Sequence, residues 1–188
     1  MNSPIETEIK LPLKDGAAPA LLLIEELGYR VTQPRTHQAD QVFDFPDGAL
    51  RRSGRLLRLR REASEESGAI LTYKGPVLSA SPHKAREELE TSAGDGATME
   101  LILGRLGFIP SFRYEKYRTT FRAPEEPGLV ALDETPIGVF LELEGPGDWI
   151  DRTALRLGFS AADYMTVSYA TLYREHLAAH GGVPDMVF

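Results

Sequence analysis

The sequence predicts an α+β fold: one antiparallel β-barrel, closed around a charged tunnel, with helices packed on its outside. The first observation is the run at residues 5–11, Ile-Glu-Thr-Glu-Ile-Lys-Leu. Side chains of a strand alternate between its faces, so Glu6, Glu8 and Lys10 project together and the aliphatic side chains project the other way. Adjacent carboxylates repel each other unless a cation lies between them, so this pattern is more typical of a divalent metal site than of an ordinary strand.

The second observation is that charges recur at alternate positions along the chain. Glu142 and Glu144 alternate with leucines, and three more segments follow the same rule: Arg58 and Arg60; Arg86, Glu88 and Glu90; Lys116 and Arg118. Each segment alone is explained by a solvated strand face with cross-strand ion pairs. Together they favour closure of the sheet into a barrel, because a cavity lined by both signs suits a metal complex of a polyanion.

The individual elements follow from hydrophobic periodicity and from turn residues. Strands are predicted at 5–13, 33–45, 55–61, 69–74, 84–91, 112–122, 128–133 and 138–144. Helices are predicted at 17–27, 97–106, 146–157 and 169–179, the first three ending at Gly28, Gly107 and Gly158. Turns are expected around Pro46-Asp47-Gly48 and over 62–68.

The length and composition indicate one domain over residues 1–188, with a core at about 3–180. The chain has 188 residues, of which 42% are hydrophobic and 26% charged. Gly181, Gly182 and Pro184 favour a loose tail over 181–188. The absence of cysteine excludes disulfides and thiolate chemistry, and residues 1–10 lack the pattern of a signal peptide. We therefore expect a cytoplasmic protein.

The charge balance limits the classes of partner. A formal net charge of -7 argues against nucleic acid, whose binders usually carry a basic surplus. The longest apolar run near the amino terminus, at 20–24, is far too short to span a bilayer, so no membrane partner is expected. Bases gathered in a cleft would still attract a small anion.

Other phosphate and metal motifs are missing from the sequence. Neither GxxxxGK[ST] nor a GxGxxG that follows a strand occurs, so a P-loop or a Rossmann cradle is unsupported. His176 and His180 lie four residues apart on a predicted helix and could bind a metal. The segment between them lacks the glutamate of HExxH, and exposed helix polarity is the favoured interpretation.

The ordered motifs resemble those of the CYTH superfamily, the triphosphate tunnel metalloenzymes, whose signature is an amino-terminal ExExK. The resemblance runs in the family's order over nearly the whole chain: Leu-Arg-Leu-Arg at 57–60, Leu-Thr-Tyr-Lys-Gly-Pro at 71–76, Arg-Glu-Glu-Leu-Glu at 86–90, Lys-Tyr-Arg at 116–118, Leu-Asp-Glu at 132–134, Phe-Leu-Glu-Leu-Glu at 140–144 and Ser-Tyr at 168–169. One position departs from it: Val167 stands where some members carry a lysine that reaches the phosphates.

The predicted site combines hard oxygen ligands with phosphate-binding bases. Mg²⁺ or Mn²⁺ is expected on Glu6, Glu8, Glu142 and Glu144. The resemblance implies a second ion on Asp133 and Glu90, with Glu88 as the substitute for Glu90. The phosphates are expected on Lys10, Arg58, Arg60, Lys74, Arg86, Lys116 and Arg118. Arg60 or Arg86 could instead be a structural partner of a tunnel carboxylate. The candidate catalytic residues are Asp133, Glu90 and Lys10.

The resemblance implies a metal-dependent enzyme whose partner is a small-molecule triphosphate. Our first hypothesis is a hydrolase acting on inorganic tripolyphosphate, thiamine triphosphate or a nucleoside triphosphate. The second is a class IV adenylate cyclase, which forms cyclic AMP and pyrophosphate from ATP. A sensor that binds a triphosphate without cleaving it is a third, and an RNA triphosphatase is disfavoured by the acidic net charge. The sequence gives no oligomeric state.

Overall fold

Eight antiparallel strands close into a barrel in a computed structural model of the chain, which describes residues 4–63, 68–78 and 82–188. The strand order around the barrel is β1-β5-β4-β3-β2-β6-β7-β8. The strands are β1 (Ile5–Pro12), β2 (Arg30–Asp44), β3 (Leu56–Glu62), β4 (Ala69–Val77), β5 (Lys84–Ala93), β6 (Ile109–Arg122), β7 (Leu129–Thr135) and β8 (Gly138–Glu144). The predicted fold class, a single α+β domain built on a closed barrel, is confirmed.

The helices pack on the outside of the barrel. They are α1 (Ala17–Glu26), α2 (Ala49–Arg52), α3 (Gly96–Arg105), α4 (Gly147–Arg156) and α5 (Tyr169–His180), with a 3₁₀ turn at Ala161–Asp163. Asp95 caps α3 by accepting hydrogen bonds from the N–H groups of Ala97 and Thr98. Ser168 caps α5 in the same way. Within the described part of the chain, no helix is long and apolar enough to cross a membrane.

The short helix α2 was not predicted, because a side chain at the end of a strand holds it. The carboxylate of Asp44 accepts hydrogen bonds from the N–H groups of Leu50, at 2.9 Å, and Arg51, at 3.1 Å. This contact replaces the local cap that a sequence pattern would reveal. The other predicted elements occur with shifted ends; the turn predicted over 62–68 begins after Glu62, and its residues 64–67 lie outside the described residues.

The main hydrophobic core lies between the barrel and helices α1 and α4. The outward side chains of β1 and β8, Ile9, Leu11, Leu141 and Leu143, are fully buried there. They pack in one cluster with Ile24, Trp149 and Ile150 from the two helices. Because the aliphatic side chains of β1 and β8 point outward to the helices, the charged side chains at the alternate positions point into the barrel.

The ring of Trp149 leaves no room for a side chain at Gly128, in the loop before β7. A Cβ atom at Gly128 would overlap the Trp149 ring, which is itself fully buried. We therefore expect Gly128→Ala to lower the free energy of unfolding by roughly 1–3 kcal/mol through overpacking. Gly104→Ala in α3 is the control, since a Cβ there meets nothing within 4 Å. It should stabilise the protein by about 0.5–1 kcal/mol. Urea denaturation measures both; equal effects would contradict this packing.

The expectation of a loose tail at residues 181–188 is wrong, because this C-terminal segment pairs with β6. The N–H of Met186 donates to the carbonyl of Arg113 at 3.0 Å, and the N–H of Glu115 donates to the carbonyl of Met186 at 2.8 Å. Met186 is fully buried, and the hydroxyl of Tyr173 donates to the carbonyl of Val183. The two glycines therefore end α5, and the chain beyond them belongs to the packed fold.

Candidate functional site

The barrel encloses a charged cavity of about 200 Å³, the central cavity. Its wall carries six acids and eight bases: Glu6, Glu8, Glu88, Glu90, Glu142 and Glu144; Lys10, Arg58, Arg60, Lys74, Lys84, Arg86, Lys116 and Arg118. The structure thus brings together every predicted site residue except Asp133. The positions alternate along each strand, as expected from side chains that project inward.

The seam between β1 and β8 places one like-charge pair and one opposite-charge pair across from each other. Glu8 is directly across from Glu144, and Lys10 is directly across from Glu142. The Nζ atom of Lys10 lies 3.0 Å from Glu8 and 3.2 Å from Glu142. Burial opposes ionisation of these two acids, but their basic neighbours, Lys10 on Glu8 and Arg118 with Lys10 on Glu142, keep both pKa values well below the usual range.

Glu144 differs from the other acids of this seam. No ion pair joins it to any described residue, and it lies close to other carboxylates. Burial, followed by the charges of Glu6 and Glu142, raises its pKa to about 7. Like charges directly opposite each other in a sheet are destabilising, so Glu8 and Glu144 have a repulsion that a cation would relieve.

A second group of acids surrounds Lys74. Its Nζ atom donates to Glu6 and to Glu88, each at 2.7 Å. Burial and a hydrogen bond with Glu6 raise the pKa of Glu88 to about 8. Arg86 lies 3.6 Å from Glu6, and Lys84 donates to Glu8. Arg86 thus has the structural ion pair that its alternative interpretation requires, while it also lines the cavity.

Glu88 and Glu90 both reach the central cavity, because they lie two residues apart on β5. Glu90 accepts hydrogen bonds from Thr72 at 2.7 Å and from Arg58 at 3.2 Å. The side chain of Glu90 is 46% exposed and that of Glu88 is 15% exposed. Glu88 therefore lies deeper, and the two are neighbours on one face rather than substitutes for each other.

Asp133 lies behind the wall of the central cavity, away from the position expected of a metal ligand. Its side chain is fully buried. Arg118 donates to both of its oxygens at 2.6 Å, and Lys116 and the hydroxyl of Tyr169 each donate to Oδ2 at 2.8 Å. Four donated hydrogen bonds occupy the carboxylate, so the geometry suits an acid that orients two cavity bases. Burial, followed by the charge of Arg118, lowers the pKa of Lys116 to about 8.

Asp40 on β2 is a site residue that the sequence analysis missed. Its side chain is fully buried, and its Oδ1 atom lies 2.9 Å from Nε of Arg60 and 3.3 Å from Nε of Arg58. Asp40 has no charged residue two positions away on β2, since Gln38 and Val42 occupy those places, so it shows no alternating pattern. Lys84 was missed as well, although it extends the series 86, 88, 90 by one step.

We expect Asp40→Asn to weaken both the fold and the site, because it leaves two buried guanidinium groups without their shared carboxylate. Breaking a buried ion pair costs about 3–5 kcal/mol, and the asparagine keeps only part of the hydrogen bonding. Asp47→Asn is the matched control, since its pair with Arg52 is 63% and 60% exposed. It should cost no more than about 1 kcal/mol. Urea denaturation compares the two, and similar losses would refute the orienting role.

The acids of the central cavity fit a hard divalent cation that is shared with phosphate oxygens. Among the described residues, no group of three or more acidic, cysteine or histidine side chains is already arranged around a metal position. Mg²⁺ does not need such a cage, because it usually takes one or two carboxylates together with substrate phosphates and water. Glu144, Glu8 and Glu6 supply donors of that kind. His176 and His180 stack on each other on the exposed side of α5, with ring centroids 4.5 Å apart.

Known structures share the fold at low sequence identity. A candidate adenylate cyclase from Vibrio parahaemolyticus is 19% identical with a TM-score of 0.79, over 92% of this chain and 99% of that one. A protein of Pyrococcus horikoshii OT3 is 23% identical with a TM-score of 0.75, over 91% and 99%. A candidate adenylyl cyclase from Hippeastrum, described as having a dominant triphosphatase activity, is 16% identical with a TM-score of 0.66, over 92% and 95%.

The sequence itself matches one family. A search of curated proteins finds no match. The CYTH domain model, in contrast, matches residues 4–165, which include all eight strands of the barrel and every charged residue of the central cavity. The chain therefore belongs to the CYTH domain family.

Proposed function

We propose that this protein is a hydrolase that cleaves a small triphosphate with the help of Mg²⁺ or Mn²⁺. The observation that carries the proposal is the composition of the central cavity, which is lined by eight bases and six acids. Bases alone would suit any polyanion. Carboxylates alongside them, one of them without a cationic partner, suit an anion that arrives with a divalent cation.

The bases would bind the phosphate oxygens. Arginine offers planar, bidentate donors and lysine a point charge, and both kinds line the cavity. Arg118 and Lys116 are held side by side by Asp133, and Arg58 and Arg60 are held by Asp40. Donors fixed in this way lose little freedom when the substrate binds, and they are available to stabilise charge on the transferred phosphoryl group. Asp133 and Asp40 are therefore positioning residues in this proposal.

The acids would hold the cation. Glu8, Glu142 and Glu144 lie at the β1–β8 seam, and Glu6 is next to them on β1. Glu144 is the one of these four without an ion pair to any described residue. When bound there, a divalent cation neutralises phosphate charge and lowers the pKa of a water molecule. Glu88 and Glu90 lie on the β5 side of the same cavity. Glu88, with a pKa of about 8, is able to exchange a proton near neutral pH.

A cyclase is the second candidate, and one feature favours it. Val42, Leu56 and Ala170 form an apolar part of the cavity lining, against which the base of ATP could pack. The Vibrio parahaemolyticus relative is described as a candidate adenylate cyclase. The charged residues serve both reactions, since each requires a metal-bound triphosphate. They differ in the nucleophile: water in the hydrolase, and the ribose 3′-hydroxyl in the cyclase.

Analysis of the products separates these functions. The full chain would be incubated with Mg²⁺ or Mn²⁺ and tripolyphosphate, thiamine triphosphate or ATP, and the products resolved by chromatography. Orthophosphate with the corresponding diphosphate is the expected result. Formation of cyclic AMP and pyrophosphate from ATP would show that the protein is a cyclase and not a hydrolase. Binding of a triphosphate without turnover of any of these three substrates would support a triphosphate sensor instead.

A further inference from the structure

A second cavity, of about 310 Å³, lies against the central one at the β1–β8 seam. Its lining includes Arg122 at the end of β6 and the loop glycines Gly128 and Gly145. Glu6 and Glu144 line both cavities. The two spaces are therefore neighbours that share two of the proposed metal-binding carboxylates.

Arg122 is the basic residue in the lining of the second cavity. Its guanidinium makes no ion pair or side-chain hydrogen bond with any described residue. Arg30, its partner across the β2–β6 ladder, directs its own guanidinium to the carbonyls of Tyr29, at 2.8 Å, and Glu25, at 3.2 Å. The side chain of Arg122 is exposed and has no protein partner among the described residues, so its donors are available to an anion that enters the second cavity.

The charges of the second cavity make anion binding depend on the cation. Glu6 is already paired with Lys74 and Arg86, whereas the unpaired Glu144 offsets the charge of Arg122, so the second cavity has no positive surplus to attract phosphate. A divalent cation on Glu6 and Glu144 supplies that surplus, because a bound ion is the largest local charge in such a site. A phosphate here would then be attracted both by the cation and by Arg122.

We propose that the second cavity is a binding site for orthophosphate, in which Arg122 receives the phosphate released by cleavage. This inference rests on the proposed hydrolysis, in which a triphosphate and water give a diphosphate and orthophosphate. Arg122 is separate from the bases of the central cavity, so it serves the product and leaves the affinity for the intact triphosphate unchanged.

Calorimetric titration of the full chain with orthophosphate tests this site without relying on turnover. With Mg²⁺ present, Arg122→Gln should weaken orthophosphate binding by about tenfold or more, the effect of losing charge-assisted hydrogen bonds. Tripolyphosphate binding should change by less than about threefold. Without Mg²⁺, orthophosphate should bind weakly to both proteins. Arg105→Gln is the matched control, because it removes the same charge from an exposed position on α3, away from both cavities.

Two results would overturn the proposal. One is orthophosphate binding that is equal in Arg122→Gln and Arg105→Gln. The other is an equal loss of orthophosphate and tripolyphosphate affinity in Arg122→Gln, which would place Arg122 in the substrate site. Arg122→Glu, which reverses the charge, should enlarge the effect, and its melting temperature reports whether it folds. If no triphosphate is cleaved but orthophosphate binding still requires Arg122, the phosphate site stands and the hydrolase function alone fails.

Discussion

Replacing Glu144 by glutamine should stabilise the metal-free protein at pH 8 and remove its metal-dependent turnover. The pKa of Glu144 is raised from 4.5 to about 7, whereas the unfolded chain ionises it near 4.5. As pH rises between these two values, the unfolded state loses its proton first, so the folded state loses relative stability. Above pH 7 that loss is complete. Glutamine has no charge to bury, and we expect a gain of roughly 1–3 kcal/mol after allowance for partial solvent screening.

Urea denaturation in EDTA measures this effect. Glu144→Gln should exceed the wild type in stability at pH 8, and the difference should shrink towards pH 4.5. The same variant should lose turnover with Mg²⁺ or Mn²⁺ by about 100-fold or more, since a neutral amide is a poorer ligand than a carboxylate. Glu175→Gln on the exposed side of α5 is the control and should change neither property. A variant that is less stable at pH 8, or that retains full turnover, would contradict the assignment of Glu144.

Replacing Arg118 by alanine should damage the fold and the site together. Arg118 donates to Asp133 and to Glu142, at 2.8 Å for the latter, and its side chain is 12% exposed. Alanine leaves two buried carboxylates without this partner, which costs about 3–5 kcal/mol. It also removes a bidentate donor for phosphate, so KM for the triphosphate should rise and kcat should fall.

Two further variants separate these effects of Arg118. Arg118→Lys keeps the positive charge, so it should recover part of the lost stability, but a lysine cannot reproduce the planar, bidentate contact, and its turnover should stay low. Arg152→Ala breaks an exposed pair with Asp148, whose side chains are 61% and 73% exposed. It should cost less than about 0.5 kcal/mol. A full recovery of activity in Arg118→Lys would show that charge alone is required.

The alternation of charged and aliphatic residues explains why the fold was predictable. In β1 and β8, leucine and isoleucine at every second position face the core, so Glu8 and Glu144 must face inward. The alternation does not predict contacts between a strand and segments that are distant in the sequence. Helix α2 depends on Asp44, and the C-terminal segment depends on the backbone of β6. Both are fixed by tertiary contacts that leave no local pattern.

The sequence predicts which residues belong to the site better than it predicts how deeply each of them is buried. Strand parity selects the face on which Asp133 lies, but it does not show that Lys116, Arg118 and Tyr169 stand between that carboxylate and the cavity. The opposition of Glu8 and Glu144 depends on the register between β1 and β8, which only the closed barrel defines. Asp40 has no charged residue two positions away, so its role appears only when Arg58 and Arg60 are seen around it.

The most direct test of the central claim is ³¹P NMR of tripolyphosphate with the wild-type protein, with Mg²⁺ and in EDTA. If the central cavity binds a metal–triphosphate complex and cleaves it, orthophosphate and pyrophosphate signals should grow with Mg²⁺. They should be absent in EDTA and in Glu144→Gln with Mg²⁺. Equal cleavage in EDTA, or intact tripolyphosphate under every condition together with intact thiamine triphosphate and ATP, would contradict the claim.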